Sequence, residues 1–311
     1  MEYYELLGCK EEPFASSPNP RYLFKSHAHR ECLNRLEIAI RLRRGLAVVL
    51  GSIGTGKTTL SRTLIQMFRK EQDRFIFGLI LDPIFPSEYT FLRNLIDLFR
   101  IPTRARSVLE CKNVLETFLF KKGVEENKTI VLVIDEGQNL TPTYLEALRN
   151  LLNYETNEYK LLQLVIFAQL DFIPRLSRNA NFEDRIATSY MLNPLNEEET
   201  MQMVRYRLRK SGWSGRNIIF TREALREIYL VTGGFPRRIT NLCHNCLIEM
   251  LRTEQPRVTA AIVQYVVSTE VPFSGRKKAR SPGLCPVEGG QARGAQVAFP
   301  LGGRTSWLTH R

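Results

Sequence analysis

Leu46-Ala47-Val48-Val49-Leu50 runs directly into Gly51-Ser52-Ile53-Gly54-Thr55-Gly56-Lys57-Thr58. The apolar run reads as a buried strand and the residues after Thr58 as a helix, so the glycine-rich stretch joins them. Its spacing is that of a phosphate loop, G-x-x-x-x-G-K-[ST], in the strand–loop–helix setting such a loop requires. The glycines let the backbone turn tightly enough for its N–H groups to point inward at phosphate oxygens. The helix that follows adds its partly positive N-terminal end. Lys57 has the reach for the β- and γ-phosphates, and the Thr58 hydroxyl suits Mg²⁺. The expected nucleotide cradle is Gly51, Ser52, Ile53, Gly54, Thr55, Gly56, Lys57, Thr58 and Thr59.

Working outward, continuous apolar runs alternate with helical periodicity. Strands are expected at 46–50, 75–81, 130–134 and 161–167, with a short β-like piece at 188–192. Helices are expected at about 29–43, from the loop to 70, 88–99, 107–121 and 141–153. Strands with no polar face, separated by helices, imply an α/β fold: a mainly parallel sheet sandwiched by helices. After Asn193-Pro194 the pattern becomes purely helical, over 196–210, 221–231, 236–252 and 258–269. We therefore expect a nucleotide-binding α/β domain over 1–195, with residues 1–30 as a Pro- and aromatic-rich arm, and a small all-helical domain over 196–271.

From residue 272 the composition changes. Residues 274–311 carry seven Lys or Arg against one acid, and seven of the 19 glycines lie beyond Pro272. Such a segment buries too little apolar surface to offset its ordering entropy, so a disordered basic tail is expected over 272–311. The tail accounts for half of the net charge of +12. The rest of the chain is only mildly basic, which is weak support for nucleic-acid binding.

Apolar residues make up 43% of the 311 residues, as in a soluble globular protein. No apolar run approaches the ~20 residues that span a bilayer, and the N-terminus lacks a basic, signal-like start. A cytoplasmic protein is expected, meeting the inner membrane through a partner. Of the six cysteines only Cys243 and Cys246 are close, and they share one face of a helix with Leu242, Leu247 and Met250. They read as small core residues rather than a metal or redox pair.

The second chemical signal is Thr129-Ile-Val-Leu-Val-Ile134-Asp135-Glu136, a buried strand ending in two carboxylates. Asp135 suits the Mg²⁺ shell, and Glu136 suits a general base that orients and deprotonates water. A mere binder needs only the first acid, so the pair points to ATP hydrolysis. Gln169 follows the next strand and falls on the same edge of a parallel sheet, in reach of a γ-phosphate or the attacking water. Gly233-Gly234-Phe235-Pro236-Arg237-Arg238 opens a helix in the second domain, where one arginine could reach back to the γ-phosphate. A further arginine, supplied by a neighbouring molecule, often assists phosphoryl transfer. Arg185 is a candidate, with Arg175 and Arg178 as alternatives that position alone does not separate.

These residues resemble the AAA+ superfamily over roughly 1–271, and more narrowly the general secretion pathway protein A (ExeA-like) family of ATPases. Pilus-biogenesis and TniB-type transposition ATPases are relatives of that family. Three stretches carry the narrower resemblance: the arm Tyr4-Glu5-Leu6-Leu7-Gly8 … Pro18-Asn19-Pro20-Arg21-Tyr22-Leu23, the run Asp135-Glu136-Gly137-Gln138-Asn139-Leu140, and Gly234-Phe235-Pro236-Arg237-Arg238-Ile239. The resemblance implies that Gly51–Thr58 is Walker A, that Asp135 and Glu136 are Walker B, that Gln169 stands at sensor 1, and that Arg237 is sensor 2. It matches Arg185 to a trans-acting arginine. It also implies a ring or dimer, and clients in envelope secretion or pilus assembly; a DNA-associated transposition role and a non-hydrolysing, nucleotide-gated scaffold are the alternatives. The chain departs from the family in having Ala168 and Leu170 around Gln169 and Ala187-Thr188-Ser189 where a second arginine is common. Nothing after Pro272 resembles the transmembrane and periplasmic parts of the secretion members.

Overall fold

The computed structural model describes residues 2–215 and 217–269. In chain order the elements are α1 (Tyr3–Leu6), α2 (His27–Arg41), β1 (Leu46–Gly51), α3 (Lys57–Met67), β2 (Phe75–Ile80), α4 (Glu88–Leu98), α5 (Val108–Phe120), β3 (Thr129–Ile134), α6 (Pro142–Leu152), β4 (Leu162–Ala168), α7 (Ile173–Ser177), α8 (Ala180–Glu183), β5 (Ile186–Leu192), α9 (Glu197–Lys210), α10 (Arg222–Thr232), α11 (Pro236–Arg252) and α12 (Ala260–Thr269).

The five strands form one sheet in the order β2-β3-β4-β1-β5, every pair parallel. Alternate side chains on each strand serve opposite faces. Leu46 and Val48 of β1, Ile130, Leu132 and Ile134 of β3, and Leu164 and Ile166 of β4 pack under α4, α5 and α6. Ala47, Val49, Val131, Val133, Val165 and Phe167 point the other way, onto α2 and α3. Both β3 and β4 are buried throughout, which is why they are apolar but for Thr129 and Gln163. At the sheet edge, β5 alternates half-buried and exposed positions until Leu192. That alternation hid its first two residues from an apolar-run reading; Ile186 pairs with Leu46 across a register shift.

Helix starts follow cap chemistry. Ser26, Ser107, Thr141, Asn196 and Thr221 each accept an N–H of the first turn of their helix. α9 carries Glu197, Glu198 and Glu199 at its start and Arg207, Arg209 and Lys210 at its end, both favourable to the helix dipole. α9 to α12 enclose a separate apolar core containing Val204, Ile228, Ile239 and Leu247. Cys243 and Cys246 are fully buried there. The arm adds Phe14 to that core, 2% exposed, a burial of about 2 kcal/mol. The arm is thus more ordered than its composition suggests, with α1 and a 3₁₀ turn at Pro20–Tyr22. The short helices α7 and α8 also lie outside the expected elements. The expected tail over 272–311 lies outside the described residues. Among the described residues no helix is long and apolar enough to cross a membrane.

Candidate active site

In a parallel sheet all strands deliver their C-terminal ends to one edge. Here that edge receives Gly51 of β1, Ile134 of β3 and Ala168 of β4. Gly51 has no room for a side chain, since a Cβ would sit 2.9 Å from the Leu192 carbonyl and 3.0 Å from Thr55 Oγ1. Gly54 and Gly56 hold φ of 84° and 97°, values natural only to glycine. Buried Thr55 closes the loop on itself, its Oγ1 donating to Ser52 O at 2.9 Å. α3 opens on Gly56 with no side-chain cap, so its first amides are free for an anion. His29, buried at the start of α2, lies with Nε2 3.3 Å from Thr55 O and Nδ1 2.7 Å from Ser26 Oγ, bracing the loop from behind.

Lys57 is 6% exposed, and its Nζ donates to Gly51 O at 2.7 Å and Ser52 O at 3.0 Å. Burial pulls its pKa down, opposed by the carboxylates of Glu136, Asp135 and Asp171. Asp135 is 1% exposed. Burial raises its pKa, and hydrogen bonds from the Thr58 hydroxyl and the Glu136 amide act against that rise. The touching Thr58 hydroxyl and Asp135 carboxylate are an all-oxygen donor pair. Among the described residues no cluster of three or more His, Cys, Asp or Glu could cage a metal. This donor set fits Mg²⁺, which keeps waters and phosphate oxygens for most of its shell.

Glu136 stands in left-handed backbone geometry, φ 51° and ψ 40°, which is strained for a residue with a side chain. The next residue, Gly137, has no room for a side chain, since an added Cβ would overlap Ile166 Cγ2. One Glu136 carboxylate oxygen, Oε2, accepts from Gln169 Nε2 at 3.2 Å and from Gln138 Nε2 at 2.5 Å. Gln138 Oε1 in turn accepts the Gln169 backbone N–H at 3.1 Å. Gln138 thus ties the acid to the end of β4, a role its sequence position did not reveal. The signal available was a glutamine two residues past the acid pair, and only the fold shows what it meets. Arg175 of α7 donates to Gln138 O at 2.5 Å and Leu140 O at 3.5 Å, so it braces this loop.

Across the cleft, the Arg237 backbone N–H donates to Gly54 O at 3.2 Å, bringing the start of α11 onto the phosphate loop. Gly234 makes the approach possible: the Leu195 N–H donates to its carbonyl at 2.9 Å, and any Cβ would overlap Leu195 O. Arg237 lines the cleft, while Arg238 turns away to stack on Phe235, 4.7 Å from the ring centroid. A cavity of about 270 Å³ results, lined by Lys57, Thr58, Thr59, Glu136, Gln169 and Arg237, with residues 15–18 of the arm as a further wall. Arg207 sets that wall. Buried in α9, it donates to Pro13 O at 2.8 Å, Ala15 O at 2.9 Å and Thr240 Oγ1 at 3.0 Å. Sequence reading missed it because it belongs to no motif.

Arg185 is not brought to this cavity. It precedes Ile186, which pairs with Leu46 at the opposite end of β1. Six strand residues place it roughly 20 Å from Gly51. It lines a separate cavity with Arg44 and Asp184, and its Nε is buried without a partner among the described residues.

A family model described as an AAA domain matches residues 40–176. General secretion pathway protein A from Aeromonas hydrophila is 35% identical over 248 residues, covering 79% of this chain and 44% of that protein. The chain thus spans less than half the length of this curated relative. Among solved structures, Cdc6p from Pyrobaculum aerophilum superposes with a TM-score of 0.62 at 20% identity, covering 81% of this chain and 69% of that one. The Aeropyrum pernix ORC2 protein, in ADPNP–ADP complexes, gives 0.59 at 16% identity, covering 80% and 69%. A single-substitution variant of RuvB from Thermotoga maritima gives 0.52 at 14% identity, covering 77% and 68%. These likenesses establish the fold.

Proposed function

The chain is an AAA+ protein, related over 79% of its length to a general secretion pathway protein A, and we propose that it is a magnesium-dependent ATPase that remodels or assembles a partner complex. The observation that carries this reading is that Lys57, Thr58, Glu136, Gln169 and Arg237 line one cavity.

ATP would lay its phosphates over the loop amides and the start of α3, with Lys57 between the β- and γ-phosphates. Thr58 and Asp135 would hold Mg²⁺, which shields phosphate charge. Glu136 keeps Oε1 for a water while both glutamine amides engage Oε2. It takes the water proton as the oxygen attacks the γ-phosphorus; the bond to the bridging oxygen breaks, and its electron pair leaves with ADP. Arg237 would meet the γ-phosphate in cis. Because its backbone also binds Gly54, loss of that phosphate would change the seating of the helical lid, residues 196–269. Arg185 would serve a neighbour's nucleotide in a ring or dimer. Clients in envelope secretion follow from the relative's name, with the protein in the cytoplasm and reaching the inner membrane through a partner.

Calorimetry with magnesium and a non-hydrolysable ATP analogue tests the site. Wild type binds, and Lys57→Ala loses affinity by roughly 100-fold, as removal of a buried charge-assisted contact of about 2.7 kcal/mol requires. Equal affinity in the two proteins rejects the assignment.

A further inference from the structure

Phe99, at the end of α4, stacks on Phe118 of α5 with ring centroids 5.5 Å apart and planes at 27°. Beside this pair opens a groove of about 670 Å³, wider than the nucleotide cavity. Its apolar walls, Ile101 and Val114, continue into the core under the sheet. The Lys128 N–H donates to Lys122 O at 2.7 Å just before β3 begins, so the groove lies by the N-terminal strand ends, away from the phosphate loop.

The groove has a definite charge. Arg100, Lys121 and Lys122 line it, and no carboxylate does. Lys122 is neutralised by Glu126, and nearby Arg93 and Lys112 by Asp97 and Glu88. Arg100 and Lys121 are exposed and form no ion pair among the described residues. On the wall, the Asn113 side-chain amide makes no hydrogen bond among the described residues. Thr117 Oγ1 donates to Asn113 O at 2.9 Å and keeps its acceptor sites.

Both free cations sit at backbone irregularities. Arg100 holds φ 55° just past α4, where the Ile101 N–H donates back to Ile96 O at 3.0 Å. That position favours glycine, so an arginine there is strained. Lys121 begins a π-turn, Lys121–Glu125, that ends α5; such turns are common at functional sites.

We propose that this groove docks an extended acidic segment of a partner protein. An aromatic or branched aliphatic side chain of the segment enters between α4 and α5, its carboxylates meet Arg100 and Lys121, and Asn113 and Thr117 hydrogen-bond its backbone. Nucleic acid fits less well. The two phenyl rings stack on each other, and among the described residues only two unpaired cations line the groove, too few to track a backbone.

Selection of a phage-displayed random peptide library on the full chain tests the proposal. Enriched peptides should carry Asp or Glu beside a Trp, Phe, Leu or Ile. Labelled copies should lose affinity on the order of tenfold on Arg100→Gly and again on Lys121→Gln, with ATP turnover unchanged. Arg100→Gly should also raise the melting temperature, since glycine takes positive φ without strain; weaker binding by a more stable protein is not a folding defect. The proposal is overturned if enrichment is absent or favours basic peptides, or if the double variant binds within about twofold of wild type. It is equally overturned if duplex DNA or phosphatidylserine vesicles bind through these two residues while acidic peptides do not.

Discussion

Gln138 Nε2 donates to Glu136 Oε2 at 2.5 Å, and the same glutamine's Oε1 takes the backbone N–H of Gln169. One side chain therefore fixes both the orientation of the proposed base and its distance from the end of β4. Gln138→Ala should lower kcat by about tenfold while the KM for ATP stays within twofold, because the lost contact positions a carboxylate and not the nucleotide. Adding Gln169→Ala should cost less than the product of the single effects, since both amides hold one oxygen. Steady-state kinetics on the three variants checks this.

His29 gives a pH signature. Burial lowers its pKa from the ordinary 6.5, with the Thr55 carbonyl and Glu199 acting weakly in the opposite sense. The unfolded chain then binds the proton more readily than the folded one. The stability attached to neutral His29 is present above about pH 6.5 and is lost as pH falls towards the depressed folded value. Urea unfolding at several values between pH 5 and pH 7 should show stability rising with pH, and His29→Gln should flatten that rise. Phosphate-loop integrity should follow, since Gly56 packs against the same ring.

Arg207 is buried and forms no ion pair among the described residues, and burial depresses its pKa. Its favourable contacts are hydrogen bonds to Pro13, Ala15 and Thr240 and the aromatic faces of Phe14 and Tyr22. Arg207→Ala should cost about 3 kcal/mol through the orphaned carbonyls and lost packing. It should also release residues 15–18 from the nucleotide cavity. A raised KM for ATP together with faster proteolysis of the arm checks both consequences.

Arg185 separates a trans from a cis account. Because it stands at the far end of β1 from the loop, Arg185→Ala should leave analogue binding unchanged and abolish multiple-turnover hydrolysis. Mixing Arg185→Ala with Lys57→Ala protein should restore part of the activity. Each mixed pair would then hold one site with an intact loop and a neighbour's intact arginine.

How far the sequence revealed the molecule followed from how local each signal is. The phosphate loop, the strands β3 and β4 and the acid pair are contiguous, so their residues declared themselves in order. β5 was only partly legible because an edge strand needs apolar residues on one face alone. Helices α9 to α12 were legible from periodicity. Their docking was not, since it rests on contacts between residues distant in sequence, among them the backbone bond from Arg237 to Gly54 and the bonds from Arg207 to Pro13 and Ala15. Gln138, Arg175, His29 and Arg207 act through partners far away in sequence or through backbone atoms, and such contacts leave no spacing pattern. Spacing alone left Arg237 and Arg238 equivalent and the family resemblance pointed to Arg237; in the fold Arg237 lines the cavity while Arg238 lies over the Phe235 ring.

Glu136 is proposed to activate water beside a triphosphate held by the loop. Phosphate release from Glu136→Gln, measured on protein shown to bind ATP as tightly as wild type, decides that role. A general base at this position requires turnover to fall about 10²- to 10⁴-fold with binding intact. Turnover at the wild-type rate by a Glu136→Gln protein that binds ATP normally would rule the role out.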